Sequence, residues 1–339
     1  MRKDSSVMSN DWLPEAPLII NFALTNNCNF KCKHCYSRND PDDELDTAGA
    51  RLCVENLKKA GVLSLNFGGG EPLLRRDLLE IASLAAGLGM TVSMNSNGFR
   101  LDREMARALK AAGFKKVGIS LDSPQADVHD GFRGVPGSFE RASKALGYLD
   151  EAGIETSISS VICRINYRDI SGLIALAKKT KAGQLNFHNF KCTGLGYANK
   201  SELDLTPEEW KEFYKAAIEA RKNTEGLNIS LDDPIISSLG EGRAGSLVKG
   251  SVCGKLSLNI KTNGDITPCG FIPLVIGNIL KDDLHELWAS SPVLERLRNK
   301  KPTGKCASCS NYEECLGGCT ARALALTGDI NSPDPHCWK

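Results

Sequence analysis

The feature that most restricts the fold of this chain is an alternation of short apolar runs with longer amphipathic ones over residues 18–200. The short runs are rich in apolar and β-branched residues, and this predicts strands. They are 18–24, 63–67, 91–95, 116–121, 156–162 and 184–188. The segments between them, such as 73–89 and 102–113, have helical spacing and close on a glycine.

Six such β–α units predict an α/β fold with a parallel sheet, either curled as a barrel or open as a doubly wound layer. In both cases the ligand site forms at the carboxyl ends of the strands. A further helix is expected over 205–221, with Thr206 as its N-cap. A Gly- and Ser-containing stretch then leads into a cysteine-rich tail. The expected division is an N-terminal extension (1–17), a catalytic barrel (18–200), a helical bridge (201–248) and a cysteine-rich domain (249–339).

Charge and composition exclude several classes of protein. The chain has 42 Lys+Arg against 41 Asp+Glu, which gives no electrostatic argument for binding nucleic acid or a membrane. It has neither a long apolar run nor a signal peptide, so a cytoplasmic location is expected. In a reducing compartment, 13 cysteines, of which ten lie in two clusters, indicate metal binding rather than disulfides.

The first cysteine cluster directly follows the first predicted strand. Cys28, Cys32 and Cys35 form a CxxxCxxC pattern. Iron–sulfur clusters are normally held by four thiolates, so three thiolates on a strand-to-helix loop indicate a four-iron cubane with one iron open to another ligand. The alternative is a zinc site in which His34 supplies a fourth ligand.

Polar and glycine-rich groups follow the next three strands, at the edge where a ligand is expected. Glycine permits close approach of backbone to a ligand, carboxylates accept from ammonium groups, and arginine pairs with carboxylates. The candidate cofactor contacts are Gly69, Gly70, Glu71 and Pro72 after the second strand, Asn95, Ser96 and Asn97 after the third, Ser120 and Asp122 at the fourth, and Arg133 downstream.

In this order the motifs resemble the radical S-adenosylmethionine (SAM) superfamily. The resemblance implies a partial (β/α)6 TIM-like barrel and a catalytic cluster on Cys28, Cys32 and Cys35. In that family the open iron chelates the methionine part of SAM, and electron transfer then gives a 5′-deoxyadenosyl radical. The GGEP motif there binds the methionine amino group, while polar groups after the third and fourth strands contact the rest of the cofactor.

Seven cysteines in the tail resemble the SPASM extension of such enzymes. The resemblance implies two auxiliary clusters, for three [4Fe–4S] clusters in all. The outer set would be Cys306, Cys309, Cys315 and Cys337, and the inner set Cys253, Cys269 and Cys319. The inner set lacks a fourth cysteine, so an open or non-cysteine site is expected there. A zinc ribbon is the alternative, but seven ligands do not fit one zinc.

Three cysteines remain. Cys53 and Cys163 lie in apolar settings and are expected to be packing residues. Cys192 follows the sixth strand at the catalytic mouth. It is a candidate either for the missing inner ligand or for a thiol that faces the substrate.

The segments LNFGGGEP and GISLDSPQADVHDGFRG, the GSF at Gly137–Phe139 and the tail CSNYEECLGGCTARALALTGD…PDPHC carry a more specific resemblance. From residue 18 to the end, the chain resembles the maturases of the pyrroloquinoline quinone and mycofactocin pathways, and the GeoRSP class is the expected closest fit. The resemblance implies hydrogen abstraction from a ribosomally made precursor peptide, with formation of a carbon–carbon or thioether bond. Few residues precede the first strand, so a separate PqqD-like chaperone is expected to present the peptide. The expected reductant is a flavodoxin or ferredoxin.

The sequence leaves two other interpretations open. A tetrapyrrole-modifying enzyme would need basic groups at the mouth, for which Arg38, Lys191 and Lys200 are candidates, although solvated surface charge explains them equally well. A protein that only carries electrons would be expected to have lost the first cysteine cluster, which is intact.

Overall fold

A computed structural model describes residues 13–37, 43–241 and 248–339. One mixed sheet runs through it. Its strands are β1 Ile19–Thr25, β2 Ser64–Gly69, β3 Thr91–Ser96, β4 Phe114–Ser120, β5 Glu155–Ile162, β6 Gln184–Asn189, β7 Asn228–Leu231, β8 Ser257–Ile260, β9 Asp265–Thr267 and β10 Gly277–Asn278.

The helices lie mainly between the strands. They are α1 Thr47–Lys59, α2 Leu78–Gly87, α3 Arg103–Ala111, α4 Ala126–Arg133, α5 Ser138–Glu151, α6 Ile170–Lys179, α7 Leu195–Ala198, α8 Lys200–Leu203, α9 Pro207–Asn223, α10 Leu284–Ser290, α11 Pro292–Arg298, α12 Tyr312–Cys315 and α13 Thr320–Thr327. Short 3₁₀ turns cover Pro72–Leu74, Pro234–Leu239 and Gly304–Cys306.

The order of strands in the sheet is β10-β9-β8-β1-β2-β3-β4-β5-β6-β7. Strands β1 to β7 are consecutive and parallel. A doubly wound sheet reverses its strand order in the middle, whereas a consecutive order keeps all crossover helices on one face and lets the sheet curl. The predicted α/β fold with a partial barrel is therefore confirmed.

The two faces of this sheet differ in chemistry. Phe22, Phe67 and Phe114 lie on the face covered by helices. The ring centroids of Phe22 and Phe67 are 6.2 Å apart, and those of Phe67 and Phe114 are 6.1 Å apart. On the opposite face, Asn66 Nδ2 donates to Asn21 Oδ1 (3.1 Å), and Ser93 Oγ donates to Asn66 Oδ1 (3.1 Å). The concave face of the partial barrel is thus polar and hydrogen-bonded.

The structure differs from the sequence expectations in two places. The segment expected as a helical bridge also supplies β7, whose Ile229 and Leu231 are buried. The second helix begins at Leu78 rather than at residue 73. Arg75 is responsible, because its backbone is extended and cannot continue a helix. Its guanidinium instead binds Asp77 and the carbonyl oxygens of Leu24 and Leu45.

The cysteine-rich part joins the same sheet. Strand β8 pairs in parallel with β1, with Ile19 opposite Ser257. Strands β9 and β10 continue the sheet in antiparallel fashion. The strand that leads into the first cysteine loop is therefore flanked by β2 on one side and by the tail on the other.

Candidate functional site

The loop that carries Cys28, Cys32 and Cys35 is held by the glycines after β2. Gly70 N donates to Thr25 O (2.6 Å), and Glu71 N donates to Asn27 O (2.8 Å). A Cβ on Gly69 would lie 2.4 Å from Thr25 O, and one on Gly70 would lie 2.2 Å from Asn27 O. These two glycines therefore permit close contact between two backbones, the GGEP turn and the cysteine loop.

The buried side chain of Glu71 joins the strand ends to the cysteine loop. Its carboxylate is 1% exposed and accepts from Ser96 Oγ (2.7 Å), Asn97 N (2.7 Å) and Leu73 N (3.1 Å). Burial raises the pKa of this carboxyl, and the three hydrogen bonds oppose that rise. Asn97 Nδ2 in turn donates to Asn29 Oδ1 (2.9 Å) in the cysteine loop. Glu71 thus ties the ends of β2 and β3 to that loop.

A buried ion pair supports the other side of the cysteine loop. Arg133 Nε donates to Asp122 Oδ2 (2.6 Å), and Arg133 Nη1 lies 3.9 Å from Cys32 Sγ. Asp122 Oδ1 also accepts from Val161 N (2.9 Å). Burial opposes ionisation of Asp122, but Arg133 and its other partners hold the pKa of this carboxyl below its usual value. The guanidinium therefore stays charged beside the cysteine.

The six candidate cofactor contacts beyond the GGEP turn divide into two groups. Asn95 is exposed and Ser120 is half-buried, and the strand register puts both on the concave face with Ser93. Ser96, Asn97, Asp122 and Arg133 are buried, and their polar atoms bond to protein partners. The accessible group can meet a ligand directly, whereas the buried group shapes the loops around it.

The donor set of the first cluster fits a polynuclear centre better than a zinc ion. Ligands of one zinc lie within about 4.6 Å of one another, since Zn–S is about 2.3 Å. In the described ranges, only Cys192, Asp204 and His336 bring three ligand atoms within 4.8 Å of one another. His34, the candidate fourth zinc ligand, stacks on Phe132 at 4.4 Å. The thiols of Cys28, Cys32 and Cys35 therefore do not all lie within 4.8 Å of one another, which disfavours a single zinc ion.

Six of the seven tail cysteines lie in two groups. Cys306, Cys309, Cys315 and Cys337 line a single cavity together with Asp334 and Tyr312. In the other group, the thiols of Cys253 and Cys269 are hydrogen-bonded to each other.

A buried arginine holds these two groups against the barrel. Arg322 is 0% exposed and binds Asp233 through two nitrogens, at 2.8 and 2.9 Å. It also binds Asp334, whose Oδ2 accepts from Cys319 N at 2.7 Å. Cys337 N donates to the carbonyl oxygen of Asp334 (3.0 Å). One guanidinium thus fixes the backbone of a cysteine in each set.

Three cysteines lie outside these sets. Cys53 and Cys163 are 0% exposed in the hydrophobic core, which confirms that they are packing residues. Cys192 is also 0% exposed, and its Sγ donates to Asp204 Oδ2 (3.1 Å). His336 Nε2 lies 2.9 Å from the other oxygen of the same carboxylate. The thiol therefore does not face a substrate.

This Asp204–His336 contact was missed from the sequence. It joins the end of α8 to the residue before Cys337, and the two residues are far apart in the chain. No local pattern marks such a pair.

Comparison with known proteins identifies the family. Residues 22–177 match the radical SAM superfamily, and residues 253–310 match SPASM, an iron–sulfur cluster-binding domain. The mycofactocin maturase MftC of Mycolicibacterium smegmatis is 32% identical over 332 residues, which cover 95% of this chain and 83% of the relative. The chain belongs to the radical SAM superfamily. It is therefore an enzyme that uses SAM and iron–sulfur clusters.

Other relatives of this radical SAM enzyme carry a different name. The AdoMet-dependent heme synthase of Methanosarcina barkeri is 29% identical over 351 residues, covering 96% of this chain and 97% of the relative. The fold also matches Streptococcus suis SuiB bound to S-adenosylmethionine, with a TM-score of 0.80, 20% identity and coverage of 96% and 78% of the two chains. Among the described residues, no helix has both the length and the apolar character needed to cross a membrane.

The position of Cys192 gives a prediction for this radical SAM enzyme. Cys192→Ser is expected to leave the iron content per chain unchanged, because a serine hydroxyl can also donate to Asp204 and no cluster ligand is lost. Iron is measured after anaerobic reconstitution, beside Cys269→Ser as a matched variant that should lose iron. A loss of iron in Cys192→Ser would instead make Cys192 the missing inner ligand.

Proposed function

We propose that this enzyme modifies a ribosomally made precursor peptide and holds three [4Fe–4S] clusters. The catalytic cluster is assigned to Cys28, Cys32 and Cys35. The auxiliary clusters are assigned to an outer set of Cys306, Cys309, Cys315 and Cys337 and an inner set of Cys253, Cys269 and Cys319. The shared cavity of the outer set supports this assignment. The first three thiols do not all lie within 4.8 Å of one another, which disfavours a single zinc ion there.

With cluster and SAM bound, the site would supply a 5′-deoxyadenosyl radical that abstracts hydrogen from the substrate. The chain's own residues position that chemistry. Gly69 and Gly70 hold the cysteine loop against β2, and Glu71 fixes the ends of β2 and β3. Arg133 keeps a positive charge beside Cys32. Asn95 and Ser120 present polar groups on the concave face, where SAM and substrate would lie.

The peptide substrate is supported by the 32% identity with the mycofactocin maturase over 95% of the chain, and this observation carries the proposal. The concave face agrees with it, because Asn21, Asn66 and Ser93 are uncharged hydrogen-bonding groups that suit amides. The bond formed is proposed to be a carbon–carbon or thioether bond. The likeness to the GeoRSP class stays a prediction.

A tetrapyrrole is the second candidate, because relatives at 29% identity are named heme synthases. The basic residues that could bind tetrapyrrole carboxylates add little to this candidate. Lys191 and Lys200 each lie over an aromatic ring, that of Phe271 at 4.6 Å and that of Tyr197 at 4.5 Å. Arg38 lies outside the described residues.

The proposal includes partners and domain limits. A small PqqD-like protein would present the peptide, and a flavodoxin or ferredoxin would supply electrons. The proposed limits remain 18–200 for the barrel, 201–248 for the bridge and 249–339 for the SPASM domain. In support, the two family matches fall within the first and last of these ranges.

The first experiment removes the catalytic thiolates. Anaerobically reconstituted protein is expected to carry about twelve irons per chain, and Cys28→Ala/Cys32→Ala/Cys35→Ala about eight, because one cubane holds four. With dithionite and SAM, the parent protein should form 5′-deoxyadenosine and the triple variant should not. Iron and sulfide analysis and chromatography of the nucleoside provide the measurements. An equal loss of iron in Cys53→Ala/Cys163→Ala, the packing control, would contradict the assignment.

Substrate class is tested on the same preparation. Peptides encoded beside the gene and Fe-coproporphyrin III are each added, and 5′-deoxyadenosine and the mass of the additive are followed. A mass change in a peptide supports the proposal. Conversion of the porphyrin with unchanged peptides would replace it by the tetrapyrrole reaction.

A further inference from the structure

Lys191 is a cation at the catalytic mouth whose nearest partners are uncharged. It follows β6 by two residues, and its Nζ lies 2.6 Å from Asn189 Oδ1 and 4.6 Å from the centre of the Phe271 ring. Within the described ranges, no carboxylate oxygen lies within 4.0 Å of this Nζ. Its charge is therefore not neutralised by an ion pair there.

The aromatic partner places this charge beside the inner cysteine loop. Phe271 lies in a tight turn in which Ile272 N donates to Cys269 O (3.0 Å). The other neighbour of the Phe271 ring is Tyr36, at 4.4 Å, and Tyr36 directly follows Cys35. The ammonium thus lies next to the point where the catalytic and inner cysteine loops meet.

Two inner cysteines from different segments, Cys269 and Cys319, lie within electrostatic range of the ammonium. Cys319 is only 8% exposed, so solvent screens this interaction weakly. The ammonium therefore attracts negative charge that develops at these sulfurs.

A chain of buried hydrogen bonds that begins at Asn189 fixes the position of Lys191. Asn189 Nδ2 donates to Asp233, so its amide oxygen must point towards the ammonium. Asp233 is itself held by Arg322 and by Tyr214 Oη (2.7 Å). This chain of buried hydrogen bonds preorganises the lysine, so little reorganisation is needed when charge changes nearby.

We propose that Lys191 is a positioning residue that raises the reduction potential of the inner auxiliary cluster, an inference that rests on the proposed inner cysteine set. Reduction adds one electron, and thus one negative charge, to a cluster held by thiolates. A fixed cation beside it stabilises the reduced form more than the oxidised form. With the cluster bound, the lysine would make its reduction easier.

The test compares Lys191→Met with Lys191→Arg, which keeps the charge, and with Lys200→Met. Lys200 is an exposed mouth lysine whose charge is screened by solvent. Holoenzymes are titrated anaerobically with dithionite and followed by EPR, and the inner signal is the one that Cys269→Ala removes. Lys191→Met is expected to lower its midpoint potential, while Lys191→Arg and Lys200→Met leave it near the parent value.

The outcomes separate the inference from the function it rests on. Full iron with an unchanged inner midpoint in Lys191→Met would overturn it. Loss of about four irons in Lys191→Met but not in Lys191→Arg would also overturn it, because the charge would then serve to hold the cluster rather than to set its potential. Loss in both variants would assign Lys191 a packing role and overturn it. A parent protein with only about eight irons would show that the proposed cluster set is wrong before any variant is compared.

Discussion

Gly70→Ala is expected to remove the catalytic cluster while leaving the auxiliary clusters in place. The added Cβ would lie 2.2 Å from Asn27 O, a backbone atom that cannot rotate away. Relief requires the GGEP turn and the cysteine loop to separate, which breaks the hydrogen bond from Glu71 N to Asn27 O. Iron should fall by about four per chain, and formation of 5′-deoxyadenosine should stop.

Gly68→Ala is the matched control for this prediction. It lies in the same GGG run, yet a Cβ there would meet no atom within 4 Å. Its iron content should equal that of the parent protein. If Gly70→Ala also keeps about twelve irons, the close backbone contact does not hold the cysteine loop, and the account of the glycine turn is wrong.

Arg322→Met is expected to have the largest effect on stability. It leaves Asp233 and Asp334 buried without their shared cation, and breaking a buried pair in this way costs about 3–5 kcal/mol of unfolding free energy. Since Asp334 also accepts from Cys319 N, both auxiliary sets should lose iron. Thermal unfolding of the reconstituted protein and its iron content provide the measurements.

Arg103→Met provides the comparison. Its ion pair with Glu151 is equally well formed, with Nε 2.8 Å from Oε2, but the two side chains are 61% and 54% exposed. Water and salt screen such a pair, so stability and iron content should scarcely change. Similar losses from the two arginine variants would mean that burial of Arg322 is not the cause.

Sequence reasoning found most of the barrel because its signals are local. Both ends of each of the six predicted strands lie within two residues of the ends of an observed strand. Apolar alternation and terminal glycines are properties of short segments, so they can be recognised from sequence. Strand β7 was missed because NISL is only four residues long and depends on its pairing with β6. The early start given to the second helix failed for a similar reason, because the partners of Arg75 come from other segments.

The candidate site shows the same limit. Motif order placed Glu71 and Arg133 near the cofactor, but only the structure shows that their polar groups bind Asn97 N and Asp122. Arg322 belongs to no motif of the sequence, and its role depends on Asp233 and Asp334, which come from different parts of the chain. Buried charge networks of this kind are set by tertiary packing, which spacing along a sequence does not record.

The pairing of β1 with β8 has a consequence for synthesis on the ribosome. Residues 19–22 emerge early, but their partners at 257–260 leave the tunnel only after the whole barrel sequence has been made. Until then, one edge of β1 presents unpaired backbone groups, and such edges recruit other chains. Pairing between segments so far apart in sequence also folds slowly. Nascent chains that stop before β8 should therefore need a chaperone over that edge, and expression fragments that end near residue 240 should aggregate.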